Sequence, residues 1–230
     1  MYCIFRKKKG LKGIAVQSAV DVYVFAAMIL KDDFISPEAV MRARSLAYSD
    51  GQREALARSL PSPDEIAWYR ANDMLLMPGP PRAMSLIEIR ALNPDYFYFD
   101  VMLMGAGREH AWYDEEPFAR SERAGASGWI AFSTAALPDS FERTHEAEEA
   151  NSVRPLMAFN VAEVAWVLST YRAVRGTSLL EGTDILTASR HSNGRSVFVR
   201  SLPLLMSIIC YRDKSSPPLR NPADSRQYMA

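Results

Sequence analysis

Three histidines, two cysteines and a scatter of carboxylates are the side chains with which this sequence could do chemistry. The run His145-Glu146-Ala147-Glu148-Glu149 sets an imidazole among three carboxylates, as a divalent-metal site would. Its spacing is neither His-Glu-x-x-His nor another strong ligand pattern, so a solvated charged turn or helix is the simpler reading. Gly105-Ala106-Gly107 lacks the third glycine and the strand-turn-helix setting of a dinucleotide fingerprint, which leaves a flexible turn and no expected cofactor. His110, His145 and His191 could each serve a Ser or Cys as base, yet no nucleophile elbow accompanies them. Cys3 and Cys210, near opposite ends, could pair, but they make no disulfide framework or CxxC metal site, and they suit a reducing cytoplasm. Trp112, Tyr113 and Trp129 could line a ligand cleft, although aromatics in strand-rich sequence more often fill a core. No catalytic residue and no metal ligand is assigned from these patterns.

The elements that would position such groups begin with a chain of 230 residues, 48% hydrophobic, long enough to bury a sizeable core. Lys plus Arg (27) balance Asp plus Glu (27), which argues against a phosphate backbone as partner. The basic run Arg6–Lys9 followed by apolar residues 14–30 resembles a membrane anchor, but Gln17, Ser18 and Asp21 interrupt a run already too short to span. A packed helix is expected there, with Val16, Val20, Val24 and Met28 on its apolar face and Ala19, Tyr23 and Ala27 beside them.

Cap signals open more helices. Ser36-Pro37-Glu38 starts a short one ending near Tyr48, Asp50 can open the next, and Ser62-Pro63-Asp64-Glu65 carries a capping box. Three prolines and a glycine in 77–82 then break the helical pattern and mark a boundary. Ser85 and Glu88 form another capping box for a helix that stops before Pro94. Beyond it, residues 96–103, 128–134, 183–189, 195–201 and 206–212 read as strands, with Asn193-Gly194 as a hairpin turn. The polar stretch between residues 104 and 127 reads as a long loop, functional or mobile. Residues 160–176 read as the principal helix: Asn160 caps it, Glu163 returns a bond to the cap amide, and Gly176 stops it. Val164, Trp166, Val167, Leu168, Tyr171 and Val174 give it a broad apolar arc with Trp166 as anchor.

MPGPPRAMSLIEIRALNPDYFY, WYDEEPFARSERAGASGWIAF, NVAEVAWVLSTYRAVRG and SNGRSVFV with a later YRD, in that order, resemble a family of uncharacterised bacterial and phage proteins. The similarity spans roughly residues 70–215. That family's strand-rich terminus resembles the variable targets of diversity-generating retroelements, which display changeable residues on a C-type-lectin-like fold. The resemblance therefore implies recognition through the terminal strands. This chain departs from the pattern at TDILTAS, at Arg212 and at LRNPADSRQYMA.

The sequence thus predicts an α+β protein. A helical N-terminal region (1–76) leads through a Pro-rich junction (77–84) to a domain (85–216) with a mainly antiparallel sheet and one principal helix, for which the resemblance implies a C-type-lectin-like fold. A flexible tail (217–230) follows. The expected function is non-enzymatic recognition of a protein or surface ligand, lectin-like and associated with a phage or mobile element, in the cytoplasm or a phage particle. Ser207, Tyr211, Arg212, Lys214, Ser215 and Ser216 are the expected ligand-binding residues. Two alternatives stand: an assembly protein self-associating through its N-terminal helices, and a hydrolase with a site in 105–149. Neither nucleic acid nor a transmembrane segment is expected.

Overall fold

The computed structural model describes residues 19–98, 111–126, 128–135, 159–203 and 205–210. Local capping chemistry starts most of its helices. After α1 (Ala19–Leu30), Ser36 accepts the Ala39 amide and Pro37 pre-sets the first turn of α2 (Pro37–Arg44). Capping boxes then open α3 (Asp50–Arg58) at Ser49 and Gln52, α4 (Pro63–Ala71) at Ser62 and Glu65, and α5 (Leu86–Leu92) at Ser85 and Glu88. Helix α2 stops at Arg44, short of Tyr48, because Ser45 takes the left-handed conformation (φ 52°) that ends a helix. That stop frees Tyr48 to turn inward, where its hydroxyl donates to the Gly79 carbonyl at 2.5 Å.

Residues 74–78 form a strand. Strand β1 (Met74–Pro78) pairs antiparallel with β2 (Trp129–Ser133), and Phe34 adds a parallel bridge to Leu76 on its other side. Alternation sends successive β1 side chains to opposite faces. Leu76 packs with Tyr23, Ala26, Leu30, Phe34 and Ile66, whereas Leu75 and Met77 join a larger core that also holds Val40, Leu56, Trp166 and Val199. The N-terminal helices and the C-terminal sheet therefore share a core across the Pro-rich segment.

Two features differ from the sequence expectation for α1 and the polar stretch. The buried stripe of α1 is Tyr23, Ala26 and Leu30, while Val24 and Met28 face outward at 59% and 63% exposure. Tyr23 decides that rotation: its ring meets Phe34 and Trp129, and its hydroxyl donates to the Arg53 carbonyl at 3.2 Å. The described part of the polar stretch is folded as a 3-10 turn (Trp112–Glu115) and α6 (Pro117–Ser121). A buried ion pair, Arg90 Nη1 to Asp114 Oδ1 at 2.7 Å, holds it against α5.

Helix α7 (Val161–Arg175) has the expected Asn160 cap, reciprocal Glu163 bond and left-handed Gly176. Residues 161–170 are buried all the way round, so it is a central helix. The second sheet lies against it: β3 (Asp184–Arg190), β4 (Ser196–Ser201) and β5 (Met206–Cys210), in the order β3-β4-β5 and antiparallel throughout. Of the strand expected over 96–103, Pro94–Tyr96 is a 3-10 turn, Phe97 bridges Met206 in parallel, and Tyr98 donates to the Met206 carbonyl at 2.7 Å. Residues 99–103 lie outside the described residues. The architecture is α+β.

Candidate functional site

Strand alternation divides the β3-β4-β5 sheet into an inner and an outer face. Val197, Val199, Met206 and Ile208 point inward and are buried. The outward side chains line up across the strands: Asp184, Arg200 and Ser207 form one row, and Leu186, Phe198 and Ile209 the next. All six are half-buried. Arg200 grips Asp184 with a two-pronged contact, Nε to Oδ1 at 2.5 Å and Nη2 to Oδ2 at 2.7 Å. Arg190 donates to the Ser196 hydroxyl at the far end of the face. An apolar strip is thereby bordered by charged and hydroxylated groups on a backbone fixed from behind by α7.

The hairpin between β3 and β4 forms a rim to this face. Gly194 N–H donates to the His191 carbonyl at 2.8 Å, and only Gly194 of the Asn-Gly pair takes positive φ (84°). The turn is thus a type I turn closed by a left-handed glycine, in place of one with both residues at positive φ. The His191 ring stacks on Trp112 with centroids 5.7 Å apart, and Trp112 donates its indole N–H to the Ile208 carbonyl at 3.0 Å. Glu116 completes the rim. Its carboxylate accepts the Ser192 amide at 2.8 Å and the Ser192 hydroxyl at 3.1 Å, and lies 3.1 Å from His191 Nε2.

The polar groups of the rim engage one another. His191 Nδ1 accepts the Asn193 amide at 3.1 Å, and Nε2 faces Glu116. The Ser192 hydroxyl lies within reach of both partners, 3.1 Å from the Glu116 carboxylate and 3.3 Å from His191 Nδ1. Burial, with Glu116 nearby, pushes the Cys210 thiol up, although Arg195 opposes the shift. A neutral thiol is a poor nucleophile. Among the described residues, no group of three or more His, Cys, Asp or Glu is arranged to hold a metal ion.

Of the residues expected to bind a ligand, Ser207 stands on the outer face opposite Arg200. Tyr211, Arg212, Lys214, Ser215 and Ser216 lie outside the described residues, as do His110, His145, the 145–149 run and Gly105–Gly107. The sequence reading missed Glu116 and the Asp184–Arg200 pair. Trp112, weighed there as a cleft residue, is half-buried at the rim, whereas Tyr113 is core. No helix among the described residues is long and apolar enough to cross a membrane. Set against known protein families, curated proteins and solved structures, the chain has no match in any of the three.

Proposed function

We propose that this chain is a non-enzymatic recognition protein that presents the outer face and rim of the β3-β4-β5 sheet to a protein or surface ligand. The observation that carries the reading is the division of labour in the sheet. Inward residues such as Val199 and Ile208 hold the core, and outward residues such as Ser207 are half-exposed and can change without disturbing it. A lectin-like display surface needs that separation. Association with a phage or mobile element belongs to the same reading and rests on the family resemblance.

The test is binding of the full chain to a panel of purified bacterial surface polysaccharides and envelope proteins, with Ser207→Trp and Ser196→Trp as probes. Saturable binding to one class, weakened at least about tenfold by either variant at unchanged Tm, is expected. No binding, or binding indifferent to both variants, rejects the proposal.

A second reading, assembly through the N-terminal helices, draws on α1. Val24, Phe25 and Met28 are exposed together on a helix whose one charged residue is Asp21. Two such faces could meet without charge repulsion. Sedimentation of the wild type and of Met28→Glu decides it: a dimer dissociated by the substitution supports assembly, and a wild-type monomer rejects it.

A further inference from the structure

Arg44 ends α2 in a place where a guanidinium is costly to keep. It is 4% exposed and lies over the Trp166 ring of α7, with its Cζ 5.2 Å from the ring centroid. Its Nε, Nη1 and Nη2 are all buried without a hydrogen-bond partner. The indole offers the cation its π face but no oxygen or nitrogen acceptor. The N–H edge, which carries five donors in one plane, is left unused. Burial lowers the group to about 10, so it stays charged near neutrality.

The surroundings are consistent with a site for negative charge. The Tyr48 and Tyr96 hydroxyls lie close enough to act on the Arg44 charge. A second guanidinium, Arg172, covers the Tyr96 ring at 4.7 Å, and its Nη1 is likewise buried without a partner. Two cationic side chains, from α2 and α7, thus flank one tyrosine with donors unmet. A planar fork of donors backed by an aromatic ring matches the two oxygens of a carboxylate or phosphate.

We propose that Arg44, lying over Trp166 beside Tyr48 and Tyr96, is the recognition group of an internal site for a small oxyanion, carboxylate or phosphate. The site lies at the α2–α7 contact and is separate from the outer sheet face. The oxyanion binds the native state alone, since only the folded chain brings α2, α7 and Tyr96 together, and it therefore stabilises the fold by mass action.

Thermal unfolding of the full chain at matched ionic strength in sodium chloride, phosphate and formate tests this. Phosphate or formate should raise Tm by roughly 5 °C or more over chloride at saturation. A rise with phosphate alone makes the ligand a phosphate, and a rise with formate alone makes it a carboxylate. Arg44→Met keeps the side-chain length and the contact with Trp166 but removes the donors, so it should abolish the increment while leaving Tm in chloride equal or higher. Should that variant fail to fold, side-chain 15N spectra of the wild type provide the readout. A slowly exchanging, ring-current-shifted arginine Nε–H should move on titration with the active anion. A wild-type Tm indifferent to anion identity, an Arg44→Met protein that keeps the increment, or an unmoved Nε–H resonance overturns the proposal.

Discussion

The Trp166 indole donates its N–H to the carbonyl of Pro78 at 3.0 Å, tying the fully buried centre of α7 to the end of β1. A residue of the Pro-rich segment is thus hydrogen-bonded to the principal helix. Two consequences meet at this bond: the indole fills the core, and it satisfies a buried acceptor. Trp166→Ala should cost about 3–5 kcal/mol and Trp166→Phe about 1–3 kcal/mol, because phenylalanine keeps most of the packing and loses the donor. Urea unfolding measures both. Equal losses for the two variants would mean that the bond, and not the ring, sets the stability.

Gly79 makes a second, steeper prediction at the same segment. A Cβ there would meet the Gly125 carbonyl oxygen at 2.6 Å, and the backbone on both sides is pinned: Gly79 N–H donates to Gly128 at 2.7 Å and Tyr48 donates to the Gly79 carbonyl. Gly79→Ala should destabilise by about 1–3 kcal/mol. Gly128→Ala meets nothing within 4 Å and should fall within about 1 kcal/mol of wild type. Comparable melting temperatures for the two variants would refute the close approach.

Acid should expose the Glu88 network. The Ser85 amide first, then Arg82 and the Ser85 hydroxyl, hold Glu88 down at about 2, below its ordinary 4.5. Arg123 pairs with the same carboxylate. The folded value is depressed, so the unfolded chain takes up the proton first as pH falls. The contribution is complete above about 4.5 and disappears as pH drops towards 2. Glu88→Gln should flatten the stability profile across that window and leave its shape above pH 6 unchanged. Parallel profiles for the two proteins would show that the network carries no proton linkage.

The helix starts were legible in the sequence because capping is local. Ser62 and Glu65, Ser85 and Glu88, and Asn160 and Glu163 each complete their motif within three residues. The buried face of α1 was not legible, because Val24 and Met28 are as apolar as Ala26 and Leu30, and the choice is made by Trp129 far along the chain. The Asp184–Arg200 pair was hidden for another reason. Arg190 opposes Ser196, so regular pairing would set Arg200 opposite Leu186, but the irregularity between Leu186 and Arg190 moves it to Asp184. The outward position of Ser207 was legible from alternation alone, while Glu116 reaches the rim only through the packing of α6 and the turn before it.

Glu116 supplies the last prediction. Its two oxygens receive the Ser192 amide, the Ser192 hydroxyl and the His191 Nε2 contact, so one carboxylate ties the β3-β4 turn to the segment leading into α6. Glutamine keeps one acceptor oxygen and turns donors toward donors at the other position. Alanine removes both acceptors and leaves the exposed Ser192 groups to water. Each change should cost about 1–2 kcal/mol locally, a figure set by charge-assisted hydrogen bonds at a partly exposed site. Amide exchange should then show the Ser192 N–H losing about tenfold in protection while Trp166, in the buried helix, keeps its own. If the rim belongs to the recognition surface, Glu116→Ala also weakens ligand binding, since the Trp112–His191 stack loses the contact that orients the imidazole. Unchanged Ser192 exchange would show that the turn holds its shape without the carboxylate, and binding would then have to be sought on the strand face alone.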